Sequence, residues 1–269
     1  MNKILALFLI ISILLFGCIG APGVTQNIST GQGQDVTPQP DSTQGQDASQ
    51  HQNDTAQQNT SQTQGTTGSA GKKTVLLLGR SVTGNWANYL GLEYTCQDEE
   101  CSSSAYEGDY SKYRFIYQEL SSPPDIVDSA ISALDTYGNR SDIVFFKLCF
   151  VDFESDASGA NLKANEGYVE KVYDEVVVKR SKKLIIGNAL PKVKGETDSG
   201  LVANHKAYNA WLNSFASTHS NIKILDLYGT VSESDGSLKS GYAVDSQDSH
   251  LNNAAYAQIT PKFLVLLEN

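Results

Sequence analysis

From Lys73 onward the chain alternates between short apolar runs and longer segments in which apolar residues recur every three or four positions. The runs are Thr74–Leu78, Tyr113–Tyr117, Asp142–Phe150, Lys183–Gly187 and Ile222–Leu227. Short, unbroken apolar runs suit strands buried on both faces of a parallel sheet. Helical spacing fills the gaps. Val82 to Leu90 puts Trp86, Tyr89 and Leu90 on one side, and a helix entered at Pro123–Pro124 runs through Ile126, Ala130 and Leu134 until Gly138–Asn139 stops it. Further helices are predicted over Tyr168 to Val178, over Asn204 to Ala216 with Tyr208, Trp211, Leu212 and Phe215 aligned, and over Asn253 to Leu267. The stretch holding Cys96 and Cys101 reads as a polar loop. Strand and helix alternating in this way predict an α/β fold, a three-layer α/β/α sandwich around a five-stranded parallel sheet.

Before Lys73 the pattern is different. Residues 1–17 read as an export signal, with Lys3 followed by an apolar run from Ile4 to Phe16 that is short for a membrane span. Leu15–Phe16–Gly17–Cys18 resembles a lipobox, which implies cleavage before Cys18, acylation of that cysteine and an extracytoplasmic protein anchored to the cell membrane. Residues 18–72 are then rich in Gln, Thr, Ser, Gly and Asp, and hold too little apolar surface to offset the entropy of ordering. They read as a disordered tether, and a flexible coil of about 50 residues spans roughly 40 Å. The folded domain is expected over residues 73–269.

Charge and cysteine content narrow the classes. The 269 residues carry a net charge of −10, and the basic run Lys179–Arg180–Ser181–Lys182–Lys183 reads as a solvated helix end, which argues against nucleic acid as a partner. Four cysteines are too few for a disulfide scaffold, and their spacing is not that of a zinc site. On an exported chain Cys96 and Cys101 are expected to pair, since four intervening residues allow the required approach. Cys149, inside an apolar run, reads as a buried and inert core residue.

Two short stretches carry candidate chemistry. Gly79–Arg80–Ser81 follows the first strand, so Ser81 is either the N-cap of the next helix or a nucleophile at the carboxyl edge of the sheet, where open α/β folds bind ligands. Asp245–Ser246–Gln247–Asp248–Ser249–His250 precedes the last helix and supplies an imidazole with two nearby carboxylates. A hydroxyl becomes a useful nucleophile when an imidazole takes its proton, and a carboxylate fixes the imidazole tautomer. Topology brings Ser81 and His250 to the same edge. Lys147 either lies at an exposed strand edge or reaches the site, while His205 and His219 read as surface residues.

Taken together, these stretches resemble the SGNH/GDSL hydrolase superfamily over residues 73–269. Gly79–Arg80–Ser81 stands at the Gly-Asp-Ser block and Asp248–Ser249–His250–Leu251–Asn252 at the Asp-x-x-His block. Asn188–Ala189–Leu190–Pro191 and Tyr208–Asn209–x–x–Leu212 are also similar. The resemblance implies a flavodoxin-like fold and hydrolysis of a small ester or acylated glycan, acetyl groups on glycans among them, through an acyl-serine, with no metal or cofactor. It makes Ser81 the nucleophile and His250 the base. Asp248 is the acid nearer the family position, with Asp245 the alternative. A catalytically degenerate module that binds without turnover is the competing reading, because Val151 stands where the family has its oxyanion asparagine and Arg80 replaces the usual aspartate. Asn85 and Asn161 are candidate replacement donors.

Overall fold

A computed structural model describes residues 71–96 and 104–268. The signal, Cys18, most of the tether and Cys101 lie outside the described residues. Within them, the five expected strands are present as β1 (Lys73–Gly79), β4 (Tyr113–Glu119), β5 (Ile143–Lys147), β6 (Lys183–Gly187) and β7 (Ile222–Leu225). They are mutually parallel and ordered β4-β1-β5-β6-β7.

The sheet is nevertheless wider than five strands. The segment expected to be a polar loop folds into β2 (Glu93–Cys96) and β3 (Ser104–Tyr110), an antiparallel hairpin added to the β4 edge, making seven strands in all. The sign of a strand was muted there because polar residues alternate with Tyr94, Tyr106 and Tyr110 instead of forming an apolar run. Cys96, at the end of β2, is disulfide-bonded.

The continuous apolar runs are explained by cover on both faces. Val75 and Leu77 of β1 point into one core with Phe145, Trp86 and Phe263, whereas Leu76 and Leu78 point into the other with Phe146, Ile186 and Leu134. The first core is closed by α1 (Ser81–Tyr89) and α6 (Asn253–Glu268). There Trp86 packs edge-on against Phe145 and donates its indole N–H to Thr260 at 2.9 Å. The second core is closed by α2 (Ile126–Tyr137), α3 (Ala160–Tyr173) and α4 (Ser199–Thr218). Two of these start earlier than the apolar spacing suggested: α3 at Ala160, and α4 at Ser199, where the Asp198 carboxylate caps the Leu201 N–H at 2.8 Å. A short helix, α5 (Tyr228–Val231), follows β7, and a second hairpin, β8 (Ala243–Asp245) with β9 (Asp248–Leu251), precedes α6.

His205 overturns its surface reading. It lies on the inward stripe of α4 with Leu201, Tyr208 and Leu212, is fully buried, and packs edge-on against Phe153 and Tyr228. Neither ring nitrogen has a hydrogen-bond partner among the described residues. Burial, with a smaller push from the Lys192 charge, lowers its pKa from the ordinary 6.5 to about 4. His219 is half-buried, stacked on Phe215 at the end of the same helix.

This burial makes stability depend on pH. The folded state keeps His205 neutral, whereas the unfolded chain takes up a proton below about 6.5. The contribution is fully present above that value and is lost progressively as pH falls towards about 4. The expected outcome is that His205→Phe flattens the fall of the urea midpoint across this window. An unchanged slope would show that the imidazole is protonated in the fold.

Candidate active site

The site is assembled at the carboxyl edge of the sheet by a turn that leaves little freedom. Gly79 ends β1 where an added Cβ would lie 2.1 Å from the Thr83 hydroxyl, so only glycine allows the first turn of α1 to sit this close to the strand. Arg80 is extended and occupies the N-cap position, and no side chain caps the helix. Ser81 is therefore the first helical residue and not its cap. Its exposed hydroxyl faces His250, with Oγ 2.8 Å from Nε2.

The imidazole comes from β9. Side chains two apart on a strand share a face, so Asp248 and His250 point together while Ser249 points the other way. His250 Nδ1 lies 2.5 Å from Asp248 Oδ1, which also accepts the His250 backbone N–H at 2.9 Å. That backbone bond, followed by the imidazole bond, holds the Asp248 carboxyl below its ordinary range. An ionised carboxylate only accepts, so Nδ1 carries the hydrogen and Nε2 faces the Ser81 hydroxyl. Phe150 backs the ring edge-on at 5.1 Å between centroids. Asp245 is exposed on the far side of the hairpin turn, and its carboxylate accepts the Gln247 N–H at 2.7 Å. The acid beside the imidazole is Asp248. The shortened spacing works because the segment is a strand.

The hairpin itself is pinned at both ends. Ser249 is buried, accepting from the Val193 N–H at 2.9 Å and donating to Glu196 at 2.8 Å. Asn252 donates to the carbonyls of Gly241 and Ala243 and accepts from the N–H groups of Ala254 and Ala255, joining the hairpin to the start of α6.

A second network positions Ser81 from below. Asp152, on the loop after β5, has a side chain only 1% exposed and binds Arg80 Nη1 at 2.6 Å. Its other oxygen accepts the Cys149 N–H at 2.7 Å, and the Cys149 sulfur accepts the Asp152 N–H in return. Cys149 is a free, buried thiol in this turn, as its core reading predicts. Asn161 and Asn165 both donate to the Asp152 carbonyl, at 2.9 and 3.0 Å. Asn161 also accepts from Glu154 N–H and the Asn204 amide, so it builds the loop.

Lys147 is not at an exposed edge. It is buried at the end of β5, donates to the Leu148 carbonyl at 2.9 Å, and burial lowers its pKa. Val151 is 47% exposed and offers no side-chain donor. Asn85 is exposed on α1 and lines a 220 Å³ cavity with Ser81, Tyr106, Tyr117 and Glu119. Tyr106 was missed in the sequence because its strand was read as a loop.

No family model matches the sequence, and no curated protein is similar to it. Solved structures do share its fold. A GDSL-like lipase from Bacteroides thetaiotaomicron is 12% identical over 73% of this chain and 88% of its own, with a TM-score of 0.54. A member of the lipolytic G-D-S-L family from Veillonella parvula is 18% identical, covering 73% of this chain and 99% of that one at a TM-score of 0.50. An acetyl xylan esterase is 15% identical over 72% and 99% of the two chains, also at 0.50. Identities this low establish a common fold, the mostly parallel α/β/α sandwich of the SGNH hydrolases.

The Arg80–Asp152 pair is the part of this site with a clear energetic signature. Removing one partner of a buried pair leaves an uncompensated charge, which costs about 3 kcal/mol or more. Arg80→Leu is expected to lower the urea midpoint accordingly, and Arg80→Leu combined with Asp152→Asn, which keeps an acceptor for the Cys149 N–H, to recover part of the loss. A single variant as stable as the parent would show that the pair is not a constraint.

Proposed function

We propose that the chain is a serine esterase of the SGNH type, hydrolysing carboxylic esters through an acyl-serine intermediate at the outer face of a membrane. The observation that carries this reading is the continuous relay from Ser81 Oγ to His250 Nε2 and from Nδ1 to Asp248. The fold shared with GDSL-like lipases and an acetyl xylan esterase supports it.

In the proposed reaction Ser81 Oγ bonds to the ester carbonyl carbon as its proton passes to His250 Nε2. The tetrahedral centre collapses, the C–O bond to the alcohol breaks, and the imidazolium returns the proton to the departing oxygen. Water then attacks the acyl-serine with His250 again as base, releasing the carboxylic acid and free Ser81. Asp248 stays ionised throughout and stabilises the imidazolium. The oxyanion is met by first-turn backbone N–H groups of α1 other than those of Thr83 and Gly84, which donate to the Arg80 carbonyl, and by the positive end of the helix dipole. Since Val151 adds no donor, turnover is expected to be modest. Loss of one such donor typically costs about 10²–10³ in kcat.

A fluorophosphonate probe should label Ser81 in the parent protein and leave Ser81→Ala unlabelled, with p-nitrophenyl acetate turnover lost in Ser81→Ala and His250→Ala. Asp248→Asn is expected to lose far more turnover than Asp245→Asn, because only Asp248 touches the imidazole. Turnover persisting in Ser81→Ala would refute the esterase reading.

The location rests on the sequence of the first 18 residues. The lipobox-like Leu15–Phe16–Gly17–Cys18 supports cleavage before Cys18, with acyl chains holding the mature protein to the membrane through the polar tether. Intact mass of protein expressed with its signal should show a lipidated Cys18 as the first residue, and Cys18→Ser should no longer partition with membranes. An unmodified start beyond Cys18 would exclude the anchor.

A further inference from the structure

The cavity at Ser81 lies between two strands and the outward side of α1. Tyr117 and Glu119 are two apart on β4, so their side chains share the face towards α1. Glu119 pairs with Gly79 at the carboxyl edge of the sheet, two residues before Ser81. From β3, Tyr106 pairs with Tyr117, their rings 6.0 Å apart and tilted by 49°. Gly84 lets the helix come this close, since a Cβ there would lie 2.9 Å from the Tyr117 hydroxyl. Ser81, Asn85 and Asn88, exposed at i, i+4 and i+7 of α1, complete a space of 220 Å³.

The charge of this space is one-sided. Among the described residues that line it, Glu119 is the one charged side chain. Its carboxylate is exposed and, among the described residues, has no hydrogen-bond or ion-pair partner. Arg80, beside Ser81 in the chain, is committed to Asp152 at 2.6 Å and lines a different cavity with it. The Glu119 charge is felt inside: after burial, it is the next cause that raises the Tyr117 hydroxyl above its ordinary pKa of 10. A field that opposes a phenolate favours a cation in the same space. The phenol rings add to this, because cations are attracted over aromatic faces, and the Asn85 and Asn88 amides offer oxygen acceptors.

We infer that this cavity takes a small acyl group bearing a protonated amine, so that the ester cleaved at Ser81 is an aminoacyl ester. The inference deepens the esterase reading and rests on it for the ester. The acyl side is indicated because the departing alcohol must lie beside His250, which protonates it, and His250 is not among the described residues lining this cavity. With the carbonyl carbon at Ser81 Oγ, an α-ammonium lies one carbon further into the space that holds Glu119 and the two phenols. The 220 Å³ admits an alanyl-sized group, and its polar walls give a fatty acyl chain no apolar channel. The ammonium is a spectator in the reaction, which consumes one water and releases the alcohol and the free amino acid. Its positive charge beside the carbonyl stabilises the developing oxyanion and offsets part of what Val151 cannot donate.

The test uses the full chain with the benzyl esters of alanine and of isobutyric acid, in which a methyl group replaces the ammonium. The assay is run near pH 7, below the ordinary α-amino pKa of about 7.7–8.0. The alanine ester is intrinsically more reactive, so the quantity read is the ratio of kcat/KM for alanine over isobutyrate, compared between variants. This ratio should fall about fivefold in Glu119→Gln, the size of a partly exposed ion pair. Raising the salt to about 0.5 M should bring the ratio of the parent down towards that of the variant. A ratio that Glu119→Gln leaves unchanged overturns the proposal. Titration of Ser81→Ala with the two esters, followed by NMR, separates this inference from the esterase reading. Ser81→Ala should bind the alanine ester about fivefold more tightly than the isobutyrate ester, and Ser81→Ala/Glu119→Gln should lose that preference. Such a result supports the cation cavity even if the parent turns neither ester over. Equal binding of the two esters to Ser81→Ala overturns it even if both are cleaved.

Discussion

A carboxylate almost wholly withdrawn from water must be paired, and Asp152 is paired with Arg80, the residue that precedes Ser81. The Arg80–Asp152 contact at 2.6 Å ties the turn after β1 to the loop after β5. That loop is in turn fastened to α3 and α4 through Asn161, Asn165 and Asn204. The position of Ser81 is thus fixed by three elements as well as its own strand. A nucleophile needs this kind of support because small displacements from the attacking geometry cost large factors in rate. The same pair makes sense of Arg80 at a place where an acid is usual among the hydrolases the chain resembles. With Asp152 buried opposite, a second acid would repel it, and arginine neutralises it.

The imidazole is held by independent means. Asn252 and Ser249 fix the β8–β9 hairpin, and Phe150 backs the ring. Strand geometry alone then aligns Asp248 with His250. The two halves of the relay meet through the Ser81–His250 hydrogen bond and through Phe150, which shares its turn with Asp152. The arrangement is that of a rigid scaffold carrying chemistry on loops and a hairpin at one edge.

A physical asymmetry of the sheet gives the site its surroundings. Two antiparallel strands extend the sheet past its helices, and such an extension must either hide its exposed face or give it a use. The face towards α2 is occupied by Ala105 and by Glu107 with its arginines, whereas the face towards α1 presents tyrosines. Cys96, the last residue of β2, is disulfide-bonded.

The five parallel strands and their order of helices were legible in the sequence because burial on both faces demands unbroken apolar runs such as Val75–Leu78 and Leu184–Ile186. Ser81 and His250 were legible because topology alone sends the ends of parallel strands to one edge. The β2–β3 hairpin was not, since a strand with one open face needs only alternate apolar residues and tyrosine serves there as well as valine. His205 was misplaced for a related reason: its helix has an inward stripe, but a histidine on that stripe carries no sign of whether its nitrogens find partners. The sequence favoured Asp248 over Asp245 only through the family position. The extended conformation of β9 puts Asp248 on the imidazole's face, while the Asp245 carboxylate on β8 is taken by the Gln247 N–H. The sequence by itself determined which apolar side chains are excluded from water and which chemistry is available. Which of the polar side chains meet was decided by the fold, because hydrogen-bond geometry depends on ångström-scale placement that no periodicity encodes.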